Sequence, residues 1–200
     1  MIAERLTAQL LAGPAAPDPV AVARRLLAVQ AQDPRGARLA VRVRTSGLSA
    51  TDVDRALTEE RSLLVTWLNR GTLHLVHSED YFWLQALMAP SSLAGNARRL
   101  AQEGVSPADA DRGVAAIERS LADEGPLTRA RLRERLAATG VRTEGQALVH
   151  VLMLACLRGI AVRGPIAGRE HAYALVRDWL GRPATVDRGA ALAELARRYL

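Results

Sequence analysis

The chain has 200 residues, 49% of them hydrophobic and 4% aromatic, and a formal net charge of +6. That length supports a genuine core, and the apolar content excludes a disordered chain. No run of about 18 uncharged apolar residues occurs, which argues against a membrane-spanning helix, and the charged, amphipathic start is unlike a signal peptide, so a cytoplasmic protein is expected.

Residues 2–12 predict a short amphipathic helix, broken by the three prolines of "GPAAPDP" at 13–19. A second helix is predicted from about Val20 to Val29. It must end near Gln30–Gln32, because Pro34 disfavours the α region for Asp33. Residues 35–47 predict a short helix with alternating arginines. Ser49 is a candidate N-cap for a helix over 49–61. The period then changes: "SLLVTWLNRGTLHLVH" at 62–77 carries β-branched and aromatic residues around Asn69-Arg70-Gly71, the signature of a hairpin. Helix resumes after Ser78, with Pro90 predicted to stop it, and restarts over 91–104. "EGVSPADADRG", from Glu103, is predicted as a linker.

A second cycle follows. Helices are predicted over 112–123, from Pro126 to Gly140, and in the strongly apolar "TEGQALVHVLMLACLRG" that ends at Gly159. "IAVRGPIAGREHAYALV" reads as a hairpin with Gly164 to Gly168 at its tip. Three helices followed by a two-stranded ribbon is the winged-helix order. The expected fold class is therefore mainly α with small β-hairpins, built as tandem winged-helix units. The expected division is a first unit with its following helices over 1–104 and a second unit over 105–181. Residues 182–200 would be the first helix of a third unit, cut short at residue 200.

The single Cys156 lies among apolar neighbours and reads as a small buried hydrophobe; one cysteine allows no internal disulfide and argues against a zinc site. His74 and His77 fall on opposite faces of a strand, so they are no metal pair, and no metal or cofactor is expected. Trp67, Trp83 and Trp179 sit in apolar contexts and are expected in the core. The sequence holds no lysine, so all 27 basic residues are Arg. That removes the ε-amine needed for a Schiff base and the lysine of a phosphate-binding P-loop. The basic excess favours a polyanionic partner.

Gln30 and Gln32 are the oddest feature. On a helix, residues i and i+2 point about 200° apart; in an extended segment they share a face. The pair can cooperate only if the helix has ended, which Asp33-Pro34 requires. Two side-chain amides could then hold one water. The alternative is a pair of structural glutamines at a helix end. Asp33 is the alternative base, and it reads as a helix-end residue.

"LLAVQAQDPRGA", "VTWLNRGTLHLVHSED" and the second winged-helix cycle resemble the AlkZ/YcaQ-like winged-helix DNA glycosylases of bacteria, over essentially the whole chain. The resemblance implies three tandem winged-helix units around DNA and excision of N-alkylated bases, including N7-alkylguanine, bulky adducts and interstrand crosslinks. It implies that Gln30 and Gln32 are the catalytic pair. The family's hairpin motif falls on Arg70, Gly71, Thr72, Leu73 and His74, with Asn69 where many relatives have Met. Arg35, Arg38, Arg42 and Arg44, just after the glutamines, are expected to grip phosphates around an extruded nucleotide, and Arg70, Thr72 and His74 are expected to contact DNA from the first hairpin; Arg163 and Arg169 could reach into a groove from the second hairpin. The alternating Arg129, Arg131, Arg133 and Arg135 read as a solvated helical face.

The expected function is therefore a monofunctional DNA glycosylase, a DNA-repair hydrolase acting on double-stranded DNA with alkylated bases. It would leave an abasic site and work without a cofactor as a nucleoid-associated monomer. The alternatives are a non-catalytic winged-helix transcriptional regulator and a helical protein-interaction module.

Overall fold

A computed structural model describes residues 2–168, 170–181 and 185–199. The protein is mainly helical, with one small antiparallel sheet. Helix α1 (Ile2–Ala8) buries no residue. Helix α2 (Pro19–Leu26) starts where the Asp18 carboxylate accepts the Ala21 N–H and Pro19 supplies a preset φ. Its last residue, Leu26, falls three residues before the predicted Val29, and the C-cap Leu27 has a φ of +66°. Strand β1 (Val29–Gln30) follows at once. Asp33 then caps helix α3 (Pro34–Arg42), its carboxylate accepting the N–H groups of Arg35 and Gly36. Helix α4 (Ala50–Thr58) opens on Ser49, in a capping box with Asp52. Strands β2 (Leu63–Trp67) and β3 (Leu73–His77) form the first hairpin around a 3-10 turn at Asn69–Gly71.

Helix α5 (Tyr81–Gln102) corrects the expected stop at Pro90. A mid-helix proline costs about 3 kcal/mol in an isolated helix. Here Leu84, Leu87, Ala89, Ser92, Asn96 and Leu100 are buried on both sides of it, and that packing carries the helix through. Ser78 does not cap α5; its hydroxyl donates to the Arg61 carbonyl. The expected linker is also shorter, because Ser106 caps helix α6 (Pro107–Glu124). Thr128 caps helix α7 (Arg129–Ala137). Helix α8 (Ala147–Leu157) is buried nearly all round, as a helix apolar on every face must be. Strands β4 (Ala161–Ala167) and β5 (Glu170–Leu175), the short helix α9 (Val176–Trp179) and helix α10 (Arg188–Tyr199) complete the chain.

The sheet order is β1-β3-β2-β4-β5, all antiparallel. Pairing of Val65 with Arg163 joins the two hairpins into one sheet. Cross-strand partners share a face, so Val29, Leu75, Val65 and Tyr173 lie on one face, in the larger core with α8. Leu64, Val76, Val162 and Ala174 lie on the other, against Tyr81, Leu84 and Trp179. Cys156 is buried and unpaired, and burial pushes its thiol up to about 12. No described helix is long and apolar enough to cross a membrane.

His171, on β5, is 5% exposed, and its Nδ1 has no hydrogen-bond partner among the described residues. Burial, aided by the nearby Arg163 and Arg38 charges, pushes its pKa from 6.5 down to about 4. The unfolded chain therefore binds the extra proton first as pH falls. The stability is full above about pH 6.5 and is lost on acidification toward pH 4, by up to about 3 kcal/mol. Urea unfolding across that window is expected to show this slope, and His171→Gln is expected to flatten it.

Candidate active site

The glutamines fall just past the end of α2, on β1 and the residue pair after it. Gln30 pairs with His74 across β1–β3. The Ala31 N–H donates to the Leu73 carbonyl at 2.8 Å. In a regular ladder the Leu73 N–H would return to the Ala31 carbonyl. Instead it donates to Gln32 Oε1 at 3.0 Å. The Gln32 side chain thus takes a backbone position in the ladder. Its carbonyl oxygen is spent there, and its amide NH₂ is left as a donor. Gln30 is exposed and its side chain has no hydrogen-bond partner among the described residues, so its amide keeps a free acceptor.

Both glutamines line one cavity of about 500 Å³ with Val29, Asp33, Gly36, Ala40 and Arg44. Small residues on α3, Gly36 and Ala40, leave the room. Arg44 is held at its rim, donating to the Gln9 and Ala40 carbonyls. Asp33 is engaged as the α3 N-cap, as the reading of a helix-end residue expects.

His74 lies opposite Gln30 in a non-hydrogen-bonded pair, where side chains approach most closely. Its Nδ1 is 3.0 Å from the Thr72 carbonyl. A carbonyl only accepts, so Nδ1 carries the proton. Burial lowers the pKa below the usual 6.5, so the ring is neutral near pH 7 and Nε2 is left as an acceptor. Thr66, the partner of His74 in β2, continues this polar row; its hydroxyl is buried and unpartnered among the described residues.

A family model described as DNA glycosylase AlkZ-like matches residues 23–200. The chain belongs to the AlkZ-like DNA glycosylase family. Among solved structures, it is similar to the Streptomyces sahachiroi DNA glycosylase AlkZ, with a TM-score of 0.78 and 27% sequence identity. That match covers 98% of this chain and 54% of the Streptomyces chain, so the chain spans about half the length of that relative. No curated protein matches it.

The remaining expected residues of this AlkZ-like chain fall in several places. Arg38 is held by Asp54, 2.6 Å away. Arg35 and Arg38 line a smaller neighbouring cavity with Leu39 and Arg42. Arg70 is exposed, with a φ of +54°. It lines a third cavity, of about 570 Å³, with Arg98, Arg99 and His150. Thr72 is spent locally, its hydroxyl donating to the Asn69 carbonyl. Arg163 corrects the expectation of a residue reaching out with the second hairpin. It lies within β4 on the face opposite Gln30, its guanidinium 5.7 Å from the Tyr173 ring centre and its Nε buried. The turn itself is at Gly168, and Arg169 lies outside the described residues. Arg131 and Arg135 pair with Glu124 and Glu134 on an exposed face.

Sequence reasoning missed three members of this region. Thr66 looked like one more β-branched strand residue, and Gly36 and Ala40 carried no signal beyond being small. The Asn96–His150 pair beside Arg70, 2.8 Å apart, joins residues 54 apart in sequence and has no local signature.

Proposed function

We propose that this protein is a monofunctional DNA glycosylase. It hydrolyses the N-glycosidic bond of cationic N-alkylated purines in duplex DNA, N7-alkylguanine first among them, and leaves an abasic site. The observation that carries the reading is the locked Gln32 amide beside the free Gln30 amide in one cavity.

Cleavage of an N-glycosidic bond develops oxocarbenium character at the sugar, as in glycoside hydrolysis. An N7-alkylated guanine already carries positive charge and leaves without a general acid. What remains is to present a water to the anomeric carbon and stabilise the sugar cation. The Gln30 carbonyl accepts a hydrogen bond from the water, while the Gln32 NH₂ donates to the water oxygen; as the water bonds to the anomeric carbon and the purine leaves as a neutral base, the surplus proton passes to solvent. A neutral His74 adds no positive charge next to the sugar cation. Dipoles and DNA phosphates supply the remaining stabilisation.

Tandem winged-helix units fit the element order. Helices α2, α3 and α4 precede the first hairpin, and α6, α7 and α8 precede the second, which agrees with units over 1–104 and 105–181. On this reading α10 opens a third unit, the protein acts on DNA as a monomer, and bulky adducts or crosslinks are substrates because the glutamine cavity is open to solvent.

The test is incubation with duplex DNA carrying 7-methylguanine, followed by mass analysis of released bases. Free 7-methylguanine and an intact abasic strand are the expected products. With no lysine in the chain, borohydride is expected to trap no covalent adduct. A trapped adduct or a nicked strand rejects the monofunctional mechanism, and absence of any released base rejects the glycosylase.

A further inference from the structure

The solvent face of α3 carries two exposed large apolar side chains. Leu39 is 55% exposed and Val43 62% exposed, on a helix that immediately follows the glutamines. Single exposed apolar side chains are ordinary. Their arrangement here is not random. Successive helical residues are about 100° apart, so a walk around α3 from Ala40 meets Gly36, Val43, Leu39, Arg35, Arg42 and Arg38 in that order. Ala40 and Gly36 line the cavity that holds Gln30 and Gln32. Arg38 is held by Asp54. The guanidinium groups of Arg35 and Arg42 make no hydrogen bond or ion pair among the described residues, although both side chains are exposed. The two apolar side chains therefore stand between the glutamine cavity on one side and two uncommitted guanidinium groups on the other.

A hydrophobic strip between a polar cavity and free arginines matches the cross-section of a duplex opened at one nucleotide. Its parts are a displaced nucleotide, the apolar faces of the bases beside the gap, and the charged backbone. Proteins that open a base step insert apolar side chains between the neighbouring bases, because exposed base faces are costly to leave in water. Guanidinium groups suit the phosphates. Charge complementarity selects nucleic acid as the occupant.

We propose that Leu39, backed by Val43, is an apolar wedge that fills the base stack of duplex DNA where the target nucleotide leaves it, while Arg35 and Arg42 hold the phosphates of the same strand. This rests on the glycosylase reading, which assigns the glutamine cavity to the displaced nucleotide. It adds the residues that open the duplex and hold it open.

The experiment uses the whole chain and two duplexes, with 7-methylguanine opposite cytosine and opposite an abasic gap. Leu39→Ala is expected to slow single-turnover release from the paired lesion by about tenfold or more, because the unstacking cost is no longer offset. Release opposite the gap, where much of that cost is already absent, is expected to stay within about twofold of the unmodified protein, and Leu39→Phe is expected to restore the paired substrate. Equal losses on both duplexes, or no loss on the first, would overturn the wedge. Leu39 is exposed, so its truncation leaves the core intact. Arg42→Ala is expected to weaken binding and lower the slope of log affinity against log salt by about one; an unchanged slope removes Arg42 from the strand contact. If the unmodified protein releases no base from either duplex, the glycosylase reading fails on its own. The wedge is then decided by fluorescence of 2-aminopurine beside the lesion. It should rise with the unmodified protein and not with Leu39→Ala; identical signals reject it.

Discussion

Gln30→Ala is expected to lower the single-turnover rate of base release by about 10²–10³, with DNA affinity within about twofold of the unmodified protein. The expectation follows from the division of labour between the two amides. Gln30 alone has an uncommitted carbonyl oxygen, so it alone can orient the attacking water through a proton. Its side chain is exposed at a sheet edge, and truncation removes no packing. Gln32 is different, because its carbonyl already accepts the Leu73 N–H. Gln32→Ala therefore loses a donor to the water and also leaves a ladder N–H without its acceptor, costing about 1–3 kcal/mol of local order. Gln32→Glu separates the two effects. One carboxylate oxygen keeps the Leu73 bond and the other faces the water, so this variant is expected to stay within about tenfold of the original rate. Rapid-quench measurement of 7-methylguanine release checks all three. Equal loss in Gln32→Ala and Gln32→Glu would mean that the NH₂ donor is what matters. Unchanged rates in Gln30→Ala, with DNA binding intact, would remove the water-orienting role.

The sequence made part of this arrangement legible, and the boundary between what it revealed and what it hid is physical. Asp33-Pro34 announces both that Gln30 and Gln32 lie outside α2 and that a helix starts after them, because proline restricts the residue before it and Asp caps well. Both signals are local and both act here. The actual end of α2 came earlier, at Leu27 with a positive φ, a conformation that a Leu side chain does not advertise. The continuity of α5 through Pro90 was hidden for the opposite reason. A local breaker was outweighed by burial on both sides of it. The Gln32–Leu73 bond and the Val65–Arg163 pairing join residues 41 or more apart, and no pattern of period 2 or 3.6 encodes such a choice. Arg163 shows the cost of reading a hairpin without its register. One residue's shift decides whether a strand arginine meets solvent or the Tyr173 ring.

Gly164 carries the second large effect. It was expected at the tip of a turn, where glycine serves backbone freedom. It lies instead within β4, and the space beside it is filled by Trp179. A Cβ on this residue would stand 2.6 Å from Cε2 and Nε1 of the indole, well inside contact distance. The indole cannot readily yield. Trp179 is 9% exposed, is packed with Leu64, Val76 and Val162, and has the Arg61 guanidinium 4.3 Å over its ring. Gly164→Ala is therefore expected to cost about 2–3 kcal/mol by overpacking. For a chain of this size that corresponds to a fall in Tm of roughly 5–10 °C. Trp179→Leu in the same chain gives the added methyl room, so the double variant should be more stable than the sum of the single effects predicts. Additivity in thermal unfolding would show that the methyl and the indole do not meet. Because β4 also pairs with β2, and β2 with β3, the strain enters the sheet that supplies the Leu73 N–H to Gln32. Gly164→Ala is thus expected to slow base release more at 37 °C than at 15 °C, as the sheet loosens beneath a cavity that Gly164 does not itself line.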